Sequence, residues 1–275
     1  MLPGVVEQEI GAKEQNPVRQ RTLEPEISYF GLQAYIGTTK HMGGLDSTRE
    51  LVKLCHPTTD SYVLDVGCGV GATACYLAEE IGLDVVGIDL RESMVARATE
   101  RAARKGVDSQ TEFRVADAQD LPFGDEAFDI VLCESVVTFI KDKERVVDEL
   151  CRVTKPGGYV GLNEEIWLKN PLPGLAEHVG SLWGIEPEVL TADEWLRILE
   201  GAGLREPIGQ LCEFRVGRES SQLKRYGFDD YWRMFSRTMS LYIRNPAFRA
   251  YMKDRRHLPN DLFEYLGYGL FVGRK

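Results

Sequence analysis

From Tyr62 to Leu162 the chain alternates short apolar runs with longer amphipathic ones, and few folds accept that alternation. The strand-like runs are Tyr62–Val66 (YVLDV), Val85–Ile88, Thr111–Val115, Phe128–Cys133 (FDIVLC) and Tyr159–Leu162. Between them, Ala72–Ile81, Glu92–Lys105 and Lys143–Val153 show helical spacing. Gly82 and Gly106 stand where a helix ends in a left-handed residue. Strands of this length separated by helices predict βαβ units and a parallel sheet. Beyond them, Ala192–Glu200 and Asp229–Arg244 read as helices. A sixth strand is expected within Ile208–Val216 and a last one at Gly269–Val272. The fold class is therefore α/β, a doubly wound, mostly parallel sheet of seven strands with helical cap insertions.

Composition narrows the function. The 275 residues are 43% hydrophobic and 28% charged, which suits a globular chain. Residues 1–26 carry scattered Glu, Gln and Pro without apolar period, so a mobile arm is expected there. Residues 27–275 read as one domain. No run reaches the roughly 18 apolar residues of a membrane span, and no secretory h-region is visible. The net charge of −10 disfavours sequence-blind nucleic-acid binding. Six irregularly spaced cysteines and no C-x-x-C pair read as reduced thiols of a cytoplasmic protein. The four histidines are scattered, so no metal site is expected.

The turn after the first strand is Asp65-Val66-Gly67-Cys68-Gly69-Val70-Gly71-Ala72. Glycines permit positive φ and close approach to a ligand. A strand leading through such a turn into a helix places ligand beyond the strand's carboxyl end. By itself the turn also satisfies the dinucleotide fingerprint G-x-G-x-x-A. Asp89, 24 residues beyond Asp65 and at the end of the second strand, suits a ribose diol in either case. Asp117-Ala118 after the third strand, and Lys155-Pro156-Gly157-Gly158 before the fifth, separate the two readings. In order, VLDVGCGVG, VVGID, VADAQDLPF, FDIVL and KPGGYV resemble the motifs of class I S-adenosylmethionine-dependent methyltransferases. The resemblance is to the small-molecule branch, with its ubiquinone/menaquinone, sterol and natural-product enzymes.

The resemblance implies a Rossmann-like fold with a cofactor-binding core at 58–165. It implies S-adenosylmethionine as cofactor and S-adenosylhomocysteine as product. Gly67, Gly69 and Gly71 would face the amino-acid part, with Asp65 on its ammonium. Asp89 would hold the ribose diol, and Leu90 and Met94 would flank the adenine. Asp117 would accept from the adenine amino group beside the Ala118 N–H, while Glu134 and Ser135 would line the methionine end. His41 and Gly43 lie where relatives lay an N-terminal segment over the cofactor. The function expected is methyl transfer to an O, N, S or C nucleophile of a small molecule. An NAD(P)-dependent oxidoreductase and a non-catalytic S-adenosylmethionine-binding protein are the alternatives.

Two further groups invite a role. Asn163-Glu164-Glu165 follows the fifth strand on the ligand side, and period-2 alternation turns one acid toward the pocket. Glu164 is the candidate general base. Residues 215–256 hold eleven basic and four acidic residues among eight aromatics. Helical spacing makes much of that stripe packing, and the functional readings are a pocket for an anionic, aromatic or isoprenoid acceptor or a face for RNA. The acceptor is expected under a cap built from 27–45, 166–188 and 217–262, with Arg233 and Arg237 presented together on one helix face.

Overall fold

A computed structural model describes residues 26–183, 188–214, 226–254 and 262–275. The expected mobile arm lies outside them, apart from Glu26. The strands are β1 (Tyr62–Val66), β2 (Asp84–Asp89), β3 (Thr111–Val115), β4 (Phe128–Glu134), β5 (Thr154–Trp167), β6 (Arg205–Cys212) and β7 (Leu266–Arg274). They form a seven-stranded sheet in the order β3-β2-β1-β4-β5-β7-β6. The first five are parallel, and β7 runs antiparallel to both β5 and β6. Rossmann-like, doubly wound architecture follows from where the helices pack.

Strand alternation divides the core. Leu64, Val66, Val86, Ile88, Val131 and Cys133 point to one face, and Val63, Val85, Ile130 and Leu132 to the other. Helix α5 (Lys143–Val153) covers the first face with Val146, Val147 and Leu150. Helix α7 (Ala192–Gly201) joins it with Trp195 and Leu199. The second face is covered by α2 (Gly44–Leu54) and α3 (Ala72–Tyr76), which continues as a π turn through Ile81. Helix α4 (Glu92–Lys105) packs beside α3, with Ala102 against Cys75 and Ala78. Each such fully buried aliphatic side chain contributes about 1.5–3 kcal/mol.

Local chemistry explains the boundaries. Gly82 and Gly106 end their helices at φ 81° and 69°. Asp142 caps α5 by accepting from the Arg145 N–H, and Thr191 with Glu194 forms a capping box on α7. Asp46 and Ser47 do not cap α2, because Gly43 takes that position and the Ser47 hydroxyl donates to the Gly44 carbonyl oxygen.

Outside the sheet, α1 (Tyr29–Ile36) precedes α2, and α6 (Leu175–Trp183) follows β5. Helices α8 (Phe228–Arg244), α9 (Pro246–Asp254) and α10 (Leu262–Tyr265) lie between β6 and β7. Among the described residues, no helix is long and apolar enough to cross a membrane.

Candidate active site

Helices on opposite faces diverge from adjacent parallel strands at β1 and β4. Such a switch point opens a crevice at the carboxyl ends of the strands. Here it is a cleft of about 350 Å³. The glycine turn forms its floor, with φ of 72°, 53° and 71° at Gly67, Gly69 and Gly71. A Cβ on Gly67 would strike the Val136 side chain, and one on Gly69 the Thr39 side chain. Glycine therefore lets the loop after β4 and the segment before α2 close over the turn. Asp89 braces it: Oδ2 accepts from the Gly69 N–H at 3.0 Å and Oδ1 from the Arg91 N–H at 2.9 Å. Burial pushes the Asp89 carboxyl up, and those two N–H groups pull it back. Leu90 stands 68% exposed in the cleft wall beside buried Met94.

The wall by β3 carries Asp117 and Ala118. Asp117 Oδ1 accepts from the Gln119 N–H at 2.9 Å, fixing the carboxylate in an Asx turn. At the inner end Glu134 accepts from the hydroxyls of Thr48 and Thr73 at 3.0 and 2.9 Å. His41 Nε2 lies 3.6 Å from Glu134 Oε2 and 3.2 Å from Thr48 Oγ1. Asn163 Nδ2 lies 3.1 Å from His41 Nδ1. Asp65 is buried in the same wall. Ser135 takes a left-handed backbone, φ 54°, where its N–H donates to the Asn163 carbonyl oxygen at 2.6 Å. A non-glycine residue held there carries strain that the surroundings must offset.

The roof is α1, through Tyr29, Phe30 and Gln33. Phe30 meets Phe139 edge to face at 5.2 Å, and the Arg91 guanidinium lies 5.6 Å over the Phe30 ring. Arg91 also pairs with Glu26 at 3.0 Å, so the entry to α1 is tied to the loop after β2.

Of the residues expected at a cofactor, Asp65, Gly67, Gly69, Asp89, Leu90, Met94, Asp117, Ala118, Glu134, Ser135 and His41 all line this one cleft. Gly71 and Gly43 do not. A Cβ on Gly71 would strike Ala98 of α4, and one on Gly43 would strike the Tyr268 hydroxyl. Both serve close packing. Cys68 lines the cleft as a small buried residue, and burial pushes its thiol well above the ordinary value.

Glu164 requires a correction. Its carboxylate accepts from the N–H groups of Val136, Val137 and Thr138 and from the Thr138 hydroxyl, at 2.7–3.0 Å. It is fully buried outside the cleft wall and holds the loop after β4 in place. Four donors leave no lone pair to serve as general base. Glu165 is buried as well, so alternation does not turn one of the two acids outward. It accepts from the Ser135 hydroxyl at 3.1 Å, and burial beside Glu164 pushes its carboxyl up to about 7.

The acceptor cap is also redrawn. Among the described residues, 27–45 reaches the cleft, whereas 166–188 and 217–262 contribute no lining side chain. Arg233 and Arg237 turn toward α4, within 3.6 and 3.9 Å of Glu100, and Arg237 donates to the Ile36 carbonyl oxygen. Thr39, Thr48, Thr73 and Asn163 also belong to the site. Asn163 stands in the group expected on the ligand side of the fifth strand and Thr73 directly behind the glycine turn, whereas Thr39 and Thr48 carry no signal in the sequence.

The family profile described as a methyltransferase domain matches residues 64–162. An uncharacterised protein of Haemophilus influenzae is 31% identical over 175 residues, which are 62% of this chain and 70% of that protein. Phosphoethanolamine N-methyltransferase 3 of Arabidopsis thaliana is 36% identical over 138 residues, 50% of this chain. The match spans 28% of that enzyme's length. Among solved structures, Haemonchus contortus phosphoethanolamine N-methyltransferase 2, in complex with phosphomonomethylethanolamine and S-adenosylhomocysteine, superposes with a TM-score of 0.67 at 21% identity. That superposition covers 89% of this chain and 57% of the other, and it shows a shared fold. Glycine turn, acidic strand ends and sheet order agree with that profile, and residues 64–162 form a methyltransferase domain.

Proposed function

We propose that the cleft binds S-adenosylmethionine and that the chain transfers its methyl group to a small-molecule acceptor. The observation that carries this reading is the convergence of Asp65, Asp89, Asp117, Leu90 and Glu134 from separate strand ends on one cleft. The donor set fits the cofactor. Asp89 has spent one lone pair of Oδ2 on the Gly69 N–H of the turn and one of Oδ1 on the Arg91 N–H after β2, and keeps others for a ribose diol. Leu90 offers an exposed apolar side chain to a flat base, with Asp117 and the Ala118 N–H at its edge. Asp65 suits the ammonium, and the backbone at Gly67 and Gly69 leaves room for the amino-acid part. Glu134 and Ser135 border the methionine end. Nothing in the family match or the named relatives favours a nicotinamide cofactor.

When bound, the cofactor supplies an electrophilic methyl on a sulfonium whose departure leaves a neutral thioether. The chain's own task is alignment and exclusion of water. Alignment alone lowers a barrier by about 7–11 kcal/mol in favourable systems. Tyr29, Phe30 and Phe139 give a roof suited to excluding water and to contacting an apolar or aromatic acceptor. At the inner end His41 and Glu134, 3.6 Å apart, both border the cleft, and no general base is needed for a nucleophile that already carries a lone pair.

Thermal shift separates the readings. S-adenosylhomocysteine is expected to raise the melting temperature, since a ligand specific to the native state stabilises it by mass action. A shift with NAD(P) and none with S-adenosylhomocysteine overturns the proposal. Cofactor binding without labelled-methyl transfer to any member of a broad acceptor library would assign the chain to binding alone.

A further inference from the structure

Between α1 and α2 the chain crosses the glycine turn as irregular backbone, and one distant side chain holds it there. Thr39, Lys40 and His41 of this strap line the cleft. Thr39 lies so close over the turn that a Cβ on Gly69 would strike its methyl group. Among the described residues, no backbone-to-backbone hydrogen bond holds Thr39 or Lys40. Backbone groups set against a packed core need partners from somewhere. For Thr39 they come from Tyr226, 187 residues away. The Tyr226 hydroxyl oxygen accepts from the Thr39 N–H at 2.9 Å and from the Thr38 hydroxyl at 3.3 Å. The same hydroxyl donates to the Thr39 carbonyl oxygen at 3.0 Å. One phenol thus serves both backbone polar groups of Thr39, as a neighbouring strand would.

Tyr226 is itself fixed. Its ring is buried with Ala34, Val70, Ala72 and Met94, and the Arg101 guanidinium lies 4.8 Å over it. Arg101 Nη2 donates to the Gly37 carbonyl oxygen at 3.2 Å, and Nη1 pairs with Asp230 of α8 at 3.4 Å. Asp230 also takes Arg104 at 2.6 Å. About two turns further along α8, Arg237 donates to the Ile36 carbonyl oxygen at 3.2 Å. The carbonyls of Ile36, Gly37 and Thr39 are therefore gripped from residues 226–237, or by an arginine that Asp230 holds. Among the described residues, none from 226 to 254 lines the cleft. This segment shapes a wall of the cleft without touching what the wall encloses.

We propose that Tyr226 is a positioning residue for the cofactor: its hydroxyl holds residues 38–40 across the glycine turn and so sets how long the bound cofactor is retained. The inference rests on the reading of the cleft as the S-adenosylmethionine site. The test is Tyr226→Phe, which keeps the ring and removes the hydroxyl, with S-adenosylhomocysteine as the probe. In the ligand-free variant, amide hydrogen exchange of the peptide containing Thr39 should quicken. The Kd for S-adenosylhomocysteine should rise about tenfold, mostly through faster dissociation, because both backbone groups of Thr39 lose their partner. Arg237→Gln removes the tie to Ile36 and should raise the Kd about threefold. Val147→Ala, in the core beneath α5, is the comparison for plain destabilisation. It should lower the melting temperature and leave the Kd unchanged, since lost global stability weakens binding only through the unfolded fraction. Wild-type affinity and dissociation in Tyr226→Phe overturn this inference and leave the cofactor reading standing. An equal loss of affinity in Val147→Ala overturns it too, by reducing Tyr226 to a structural role. A wild type that takes up no S-adenosylhomocysteine overturns the cofactor reading and this inference together.

Discussion

Two strand ends carry the same sequence signal and come to different uses. Asp89 closes β2 and Glu164 lies near the end of β5, both acids on the carboxyl side of a parallel pair. At β2 the chain turns straight into α4, and the carboxylate stays at the cleft with lone pairs to spare. β5 pairs with β4 only as far as Asn163 and then runs on with β7 to Trp167. Glu164 therefore sits inside a continuing ladder, beneath the loop that follows β4, and that loop consumes it. An acid at a strand end is a ligand group only where the sheet stops. Where a neighbouring strand prolongs the sheet, the same acid becomes a brace for the adjacent loop.

The largest effect should separate the two acids by stability. Glu164→Ala leaves three N–H groups, two of them buried, and the Thr138 hydroxyl without their acceptor and is expected to cost about 4 kcal/mol in urea unfolding. Normal stability with lost turnover would reverse the comparison and restore Glu164 as a catalytic group. Asp89→Ala should weaken S-adenosylhomocysteine binding by roughly 2–4 kcal/mol by calorimetry. Because Asp89 also holds the Gly69 N–H, stability should fall too, by about 1 kcal/mol. Asp89→Asn, which keeps an acceptor, should recover most of that second loss.

Glu165 sharpens the same contrast through pH. Its folded carboxyl is raised from 4.5 to about 7 by burial and by Glu164. The folded state thus binds its proton more tightly than the unfolded chain. That contribution is full below about 4.5 and is lost as pH rises through about 7. Glu165→Gln should remain neutral and flatten the decline, making the variant more stable than wild type at pH 8 by roughly 1–3 kcal/mol. Parallel stability profiles from pH 4 to 8 would show that Glu165 does not carry the proton. The smallest effect is expected at Leu90. Leu90→Ala should weaken S-adenosylhomocysteine by about 1 kcal/mol and leave folding untouched, because the side chain is open to the cleft rather than packed in the core.

How much was legible depended on what decides each element. The spans Glu92–Lys105 and Lys143–Val153 match their predicted limits, because a glycine stop, a cap and a single buried face act locally there, and Thr111–Val115 matches as well. The sequence predicts four-residue runs for β5 and β7, which are 14 and 9 residues long. Their extension comes from pairing with each other, a long-range contact without local signature. β6 starts at Arg205, ahead of its expected limits, and the expected part beyond Phe214 lies outside the described residues. α1 lies inside the expected cap segment 27–45, where the sequence predicts no helix. Wedged between the cleft and α8, it lacks the one-sided pattern that announces a surface helix. In the site, motif order located the acids and glycines, while the hydroxyls that hold Glu134 come from α2 and α3 and meet only in the fold. Arg233 and Arg237 show the limit of wheel arguments: spacing puts two cations together, but the partner helix decides what they face.

The place of β7 between β5 and β6 has a consequence for the order of assembly. On a ribosome, β6 emerges well before β7, yet β7 is the strand that links it to the rest of the sheet. Until Leu266–Arg274 has been made, the edge of β5 stands open and β6 has no register to join. The nascent chain therefore spends the interval with an unpaired, hydrophobic sheet margin, the kind of surface that recruits chaperones or pairs with a neighbouring chain. Slow translation of the segment between them would prolong that exposure, whereas the five parallel strands, made in sequence, face no such wait.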